Sequence, residues 1–138
     1  MVIAIIAVLA AVVAPQVFRQ VEKGRVASVE AFYNSVKLAA TSYFADTGSW
    51  PGGCGINYYG TNCNTVNNGF VNGTTGSGGW DGPYLDRWPG QTQNPWGNWY
   101  DWIAESGTRF NPASAGERFI EINAVPSLSA QQIDRHID

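Results

Sequence analysis

The stretch MVIAIIAVLAAVVAP, Met1–Pro15, decides the fold. Its first fourteen residues are wholly apolar, and the first charge in the chain is Arg19. A helix rises about 1.5 Å per residue, so fourteen residues reach only ~21 Å into a hydrocarbon layer roughly 30 Å thick. That is too short to cross a bilayer unaided. A secretory signal peptide opens with positive charge ahead of its apolar region. Here the basic residues follow the apolar run, and a cut behind Ala14 would set Pro15 beside the scissile bond. The apolar segment is therefore expected to stay on the protein.

Beyond Pro15 the pattern becomes one-sided. Val17, Phe18, Val21, Val29, Phe32, Val36, Ala40 and Tyr43 recur mostly at steps of three and four, with Arg19, Glu22, Lys23, Arg25, Glu30 and Lys37 largely between them. Asp46-Thr47-Gly48-Ser49-Trp50-Pro51 closes the pattern, because glycine suits the left-handed position past a helix end and proline cannot continue one. Met1 to about Ala45 is expected to form one rod of roughly 65–70 Å. Pro15 is its interior breaker, where a kink or locally melted turn is expected; the alternative is two helices divided there.

These residues resemble the N-terminal half of type IV pilins and of the pseudopilins of type II secretion systems. VIAIIAVLAAVVAPQV looks like their apolar helix with a proline at similar depth. LAATSYFADTGSWP, residues 38–51, is similar to their helix-closing pattern, with alanine for leucine and tryptophan for the last tyrosine. A second likeness lies in Gly82-Pro83-Tyr84-Leu85, Trp88-Pro89 and Asn94-Pro95-Trp96-Gly97-Asn98-Trp99-Tyr100. These resemble the G-P-Y-L and D-P-W-G runs of the major pseudopilins, with Asn94 for aspartate and Trp99 for proline.

The resemblance implies an α+β, pilin-like fold: a long N-terminal helix, residues 1–46, projecting from a head of residues 47–138 that holds a small antiparallel sheet. It implies a filament subunit, most closely a type II secretion pseudopilin, with a type IV major or minor pilin as the alternative. The assembly helix would use Val2, Ile3, Ile5, Ile6, Val8, Leu9, Val12, Val13, Pro15 and Phe18. Glu22, Lys23, Arg25 and Glu30 would pair between neighbours. The expected partners are further copies, other pilins or pseudopilins, and the bacterial inner membrane before assembly, with the head in the periplasm or on an extracellular pilus. The family's processing motif, the target of its prepilin peptidase and the site of methylation, is expected just upstream of Val2. Aligning Pro15 with the family's proline leaves about seven residues missing, which makes Met1 a misassigned start in this reading. The tail Ser129–Asp138 is similar to a family run after which further chain usually follows.

Composition agrees with one small exported domain. The chain has 138 residues, a formal net charge of −3 and scattered basic residues, giving no general attraction to nucleic acid. Cys54 and Cys63 are its two cysteines, and the single histidine, His136, is far along the chain. A metal site wants more thiols or imidazoles nearby, so a disulfide closing a ten-residue loop is the expectation, with free thiols as the alternative. A disulfide requires an oxidising compartment.

Residues 52–82 hold ten glycines and six asparagines without helical or strand periodicity, and read as a long surface loop. It is either an assembly contact or a tolerated insertion. Trp80, Trp88, Trp96, Trp99 and Trp102, with Tyr84 and Tyr100, place seven large aromatics within 23 residues. Core and rim packing is the favoured reading. The rival is a membrane-anchored module binding carbohydrate or protein through exposed rings. Strands are expected at 99–104 and 118–122, joined through Glu105–Gly116. A short helix over 127–137 would be capped by Ser127 or Ser129, with Ile133 and Ile137 on one face.

Catalysis has little basis: G-x-S-x-G and H-E-x-x-H are absent, and no spacing among Asp81, Asp86, Asp101 and Glu105 singles out an acid and a base. His136, beside Asp134 and Asp138, reads as a solvated helix face. No cofactor is expected. The major pseudopilins hold calcium in a C-terminal acidic loop, but Asn123-Ala124-Val125-Pro126 stands where that loop belongs, so calcium is not carried over. Asp101, Glu105 or Asp134 remain oxygen donors for a different site.

Overall fold

The structure is a computed structural model and describes residues 2–55, 62–65, 69–73, 78–106 and 115–137, leaving aside the side chains of 105, 106 and 115–117. Its elements run α1 (Val2–Thr47), β1 (Tyr100–Ser106), β2 (Ala115–Ile122) and α2 (Ser127–Ile137). Helix α1 spans 46 residues, about 69 Å, and Pro15 lies inside it. The division into two helices is thus not realised. Proline removes a single backbone donor, and the apolar, helix-favouring residues on either side carry the helix through. At the far end Gly48 takes φ 70° and its N–H donates to Phe44 O at 2.8 Å, the left-handed cap expected there.

One face of the outer half of α1 is buried: Val26, Val29, Val36, Ala39, Ala40 and Tyr43. Spacings of three and four put these on a single stripe. Against it pack Phe70, Trp88, Tyr100 and Trp102, joined by the half-buried Phe32, its ring 4.3 Å from that of Tyr100 and 5.4 Å from that of Trp88. A small head can cover a long helix in this way because each aromatic ring buries a large area.

The two strands pair antiparallel, Tyr100 with Ile122 and Trp102 with Ile120, with a bulge between Ala104 and Ser106. β1 begins one residue later than the segment expected at 99–104, β2 contains the one expected at 118–122, and both extend towards the connection, of which 107–114 lie outside the described residues. Cys54 adds a short bridge to the other side of β1, exchanging hydrogen bonds with Trp102 at 2.9 and 2.8 Å.

The glycine-rich segment 52–82 is not wholly a surface loop. Phe70 within it is fully buried, with its ring 5.2 Å from Trp102 and 5.6 Å from Trp88. Its carbonyl accepts from the N–H groups of Tyr84 and Leu85. An aromatic set among glycines and asparagines has no period to reveal it, so only the packing shows its place. Gly69, at φ 100°, lets this segment touch the helix, since a Cβ there would stand 2.3 Å from the Tyr43 ring.

Helix α2 begins differently from expectation. Its first backbone bond runs from Ala130 N–H to Pro126 O at 2.9 Å, so Pro126 occupies the cap position. Ser127 is exposed, and Ser129 lies inside the first turn with its hydroxyl turned to Glu22 of α1. Neither serine caps the helix, because the stronger partner for Ser129 is a carboxylate across the interface. Ile133 is buried and Ile137 half-buried, as their shared face requires. Ser129 meets Glu22 and His136 meets Glu30, so α2 lies along α1 in the same direction.

Candidate functional site

The inner half of α1 is an all-round apolar surface that none of the described residues covers. Val2, Ile3, Ile5, Ile6, Val8, Leu9, Val12 and Val13 are 52–84% exposed, and Phe18 is 74% exposed. Pro15 is exposed among them. The helix is long and apolar enough to cross a membrane, and the window that meets this criterion has no residue buried within the protein. Water solvates such a surface poorly, and its length and apolar character are compatible with membrane anchoring.

Where the apolar surface ends, Glu22 forms a joint between three parts of the chain. Its Oε1 accepts from the Ser129 hydroxyl of α2 and, at 3.2 Å, from the Trp96 indole N–H. Its Oε2 accepts from Arg25 at 3.4 Å. The hydrogen bond from Ser129, with those from Trp96 and Arg25, holds the Glu22 carboxyl below its ordinary range against the opposing effect of partial burial. Of the four stem charges expected to pair between copies, three therefore have partners inside the protomer: Glu22, Arg25, and Glu30, whose Oε1 stands 3.2 Å from His136 Nδ1. Lys23 is exposed. His136 is exposed as read, yet reaches the stem, while Asp138 lies outside the described residues. Nothing in the sequence could have paired Glu22 with residues 74 and 107 positions away.

The two motif runs hold the head to the stem. Tyr84 donates its hydroxyl to Asp46 Oδ2 at 2.6 Å and sets its ring 5.8 Å from that of Tyr43, fastening the Gly82–Leu85 run to the top of α1. Burial, and then the Asp46 hydrogen bond, raise the Tyr84 hydroxyl above its ordinary range. Asn94 is buried and organises the second run. Its Oδ1 accepts from the N–H groups of Trp96 and Asn98 at 3.0 and 2.8 Å, and its Nδ2 donates to Asn123 O at 2.7 Å. An amide can do both jobs, whereas an aspartate could only accept.

Cys54 and Cys63 form a disulfide with their Cα atoms 5.0 Å apart, and both are buried. Next to it, Asn64 clamps the backbone of Trp88, donating to its carbonyl at 2.9 Å and accepting from its N–H at 2.7 Å. The disulfide thereby ties Cys54, bridged to β1, to the loop that positions a core tryptophan.

Trp88 and Trp102 are buried, and Trp80, Trp96 and Trp99 half-buried, so the aromatic run packs the core and its rim. Trp50, 40% exposed and stacked on Phe44, borders a groove of ≈ 370 Å³ between α1 and β2. Tyr33, Lys37, Trp102 and Arg118 also line it, with Arg118 lying 5.8 Å over the Trp50 ring. Of the carboxylates, Asp101 is buried, Asp81 and Asp86 are exposed, and the Glu105 side chain lies outside the described residues. Among the described residues, no three His, Cys, Asp or Glu side chains gather as metal ligands would.

Residues 20–112 match the family model described as PilW, C-terminal. No curated protein and no solved structure gives a significant match. The match spans about two thirds of the chain and takes in the outer stem, the disulfide and both motif runs. With its long apolar helix and small antiparallel sheet, the chain belongs to the PilW, C-terminal family and is related to type IV pilus biogenesis.

Proposed function

We propose that the protein is a structural subunit that polymerises through its N-terminal helix into a type IV pilus-like filament, most closely as a type II secretion pseudopilin. The alternative within this class is a major or minor pilin of a surface pilus. The observation that carries the reading is the uncovered apolar surface of Val2–Phe18, projecting beyond a head that has its own core. Stems of this kind satisfy one another when bundled, and before assembly they are satisfied by the inner membrane, with the head in the periplasm. Lys23, with whatever share of Arg25 and Glu30 their internal partners leave, would set the register between neighbours. The role is associative, without catalysis, cofactor or resident calcium, and it needs no nucleic acid. Other pilins or pseudopilins would join the same filament.

The test is expression of the full chain with its assembly machinery, scoring sheared filaments by electron microscopy. Val8→Asp or Leu9→Asp should abolish filaments while the detergent-solubilised head keeps its fold and disulfide. Undiminished filaments in both variants would overturn the reading. Filaments on the cell surface would favour the pilus, and a secretion defect without them the pseudopilin.

One observation favours a second reading, a membrane-anchored binding module: the groove that sets Trp50, Tyr33 and Trp102 beside Lys37 and Arg118. Selective glycan or peptide binding by the full chain, lost in Trp50→Ala, would support it. Indifference to that substitution would remove it.

A further inference from the structure

We propose that the base of the head is a docking surface for an anionic phospholipid headgroup layer, with Arg19 and Lys23 meeting phosphates and Trp96 and Leu128 entering the interface. This rests on the membrane-anchored state of the stem proposed above.

The geometry sets the height. Phe18 is the last residue of the apolar surface and Arg19 the first charge, so the hydrocarbon boundary falls there. Glu22 stands four residues further on, about 6 Å along the helix axis. The polar zone of each leaflet is about 5–8 Å deep, the difference between the hydrocarbon core and the whole bilayer shared over two sides. Whatever is joined to Glu22 therefore lies at headgroup depth.

Two head elements are joined there, the Trp96 turn and the first turn of α2. Because α2 runs along α1 in the same direction, its N-terminal end points towards the apolar stem. Leu128, adjacent to the Ser129 that holds Glu22, is 73% exposed, the most exposed large apolar side chain beyond Phe18 among the described residues. Trp96 is half-buried, its indole N–H engaged and its ring at the rim. A tryptophan with one polar attachment and an apolar body suits the interface between water and hydrocarbon.

The charges agree. From Val2 to Val29 the stem carries Arg19, Lys23 and Arg25 against the single acid Glu22. Glu22 is turned inward to Ser129 and Trp96, which leaves the collar basic although the whole chain is net negative. Arg19 and Lys23 are one turn apart and both exposed, placed to meet neighbouring phosphates. Contacts of this kind would fix the head's tilt on the membrane and must break when a subunit leaves it for a filament.

The test uses the full chain reconstituted in vesicles of brominated phosphatidylcholine, with or without about a third phosphatidylglycerol. Flotation reports insertion, and tryptophan quenching reports head contact. Wild type should show a quenched component that Trp96→Phe lacks, roughly twofold larger with phosphatidylglycerol at low salt and reduced in the Arg19→Gln/Lys23→Gln variant. Leu128→Glu, at an exposed position, should reduce it without disturbing the fold. A chain that floats but shows the same quenching in wild type, Trp96→Phe and Leu128→Glu overturns the docking surface and leaves the anchored stem standing. Quenching indifferent to phosphatidylglycerol also overturns it. A chain that does not float overturns the anchored state, and this proposal with it.

Discussion

Individual residues carry the clearest energetic expectations. Phe70 is fully buried in the core, supplied by a segment dominated by glycine and asparagine. Phe70→Ala should cost about 3–5 kcal/mol in denaturant unfolding, a cavity effect out of proportion to its glycine-rich surroundings. Tyr100 is buried, and burial pushes its hydroxyl up to about 12. A raised folded-state value means the neutral form is favoured in the fold, so this contribution is fully present below the unfolded tyrosine value near 10. It is lost as pH rises from about 10 to about 12, and Tyr100→Phe should flatten that decline in pH-dependent unfolding. Glu22 has the opposite sign. Its lowered value means stability is present above the ordinary carboxylate range and lost as pH falls through its folded-state value. Glu22→Gln should remove this acid-limb sensitivity and cost about 1–2 kcal/mol near neutrality, because a neutral amide is a poorer acceptor for Ser129 and Trp96.

Elements depend on one another through joints that their own sequences do not display. The disulfide closes a short loop and should contribute on the order of 2–3 kcal/mol in the chain-entropy model. Its local effect should be larger: Cys54→Ala/Cys63→Ala should free Asn64 from the Trp88 backbone, seen as faster amide exchange at Trp88 while α1 amides stay protected. The legible parts here were those with a period or a punctuation. Val29, Val36, Ala40 and Tyr43 announce the buried face of α1, alternation announces β1 and β2, and Gly48 announces the helix end. Residues 52–82 have neither, so Phe70 and the Asn64 clamp stayed hidden. The cap of α2 differs from the sequence expectation for a related reason. A serine at a helix start has several partners open to it, and only the position of Glu22 decides among them.

At the scale of the whole molecule, a large apolar rod is attached to a head packed around an aromatic core. Association should therefore respond to the stem and stability to the head. Substitutions at Ile5 or Val12 are expected to change polymer yield or membrane retention with little shift in the head's unfolding midpoint, while Phe32→Ala should lower that midpoint with the stem's apolar surface unchanged. Sedimentation and unfolding measured on the same variants check that separation. The charged collar lies where the two regions meet, and its internal pairs make Glu22 and Glu30 part of the head as much as of the stem.

What could be read from the chain alone was periodic or local: one long helix, its apolar and amphipathic halves, its glycine cap, two strands and the disulfide pair. Those features follow from interactions between near neighbours or from a repeating face, and both are written in sequence order. Tertiary structure decided which distant groups meet: Ser129 and Trp96 on Glu22, Tyr84 on Asp46, Asn64 on Trp88, and Phe70 in the core. Each is a contact of a single polar or aromatic group across dozens of residues, and its strength depends on geometry that only the packed head sets.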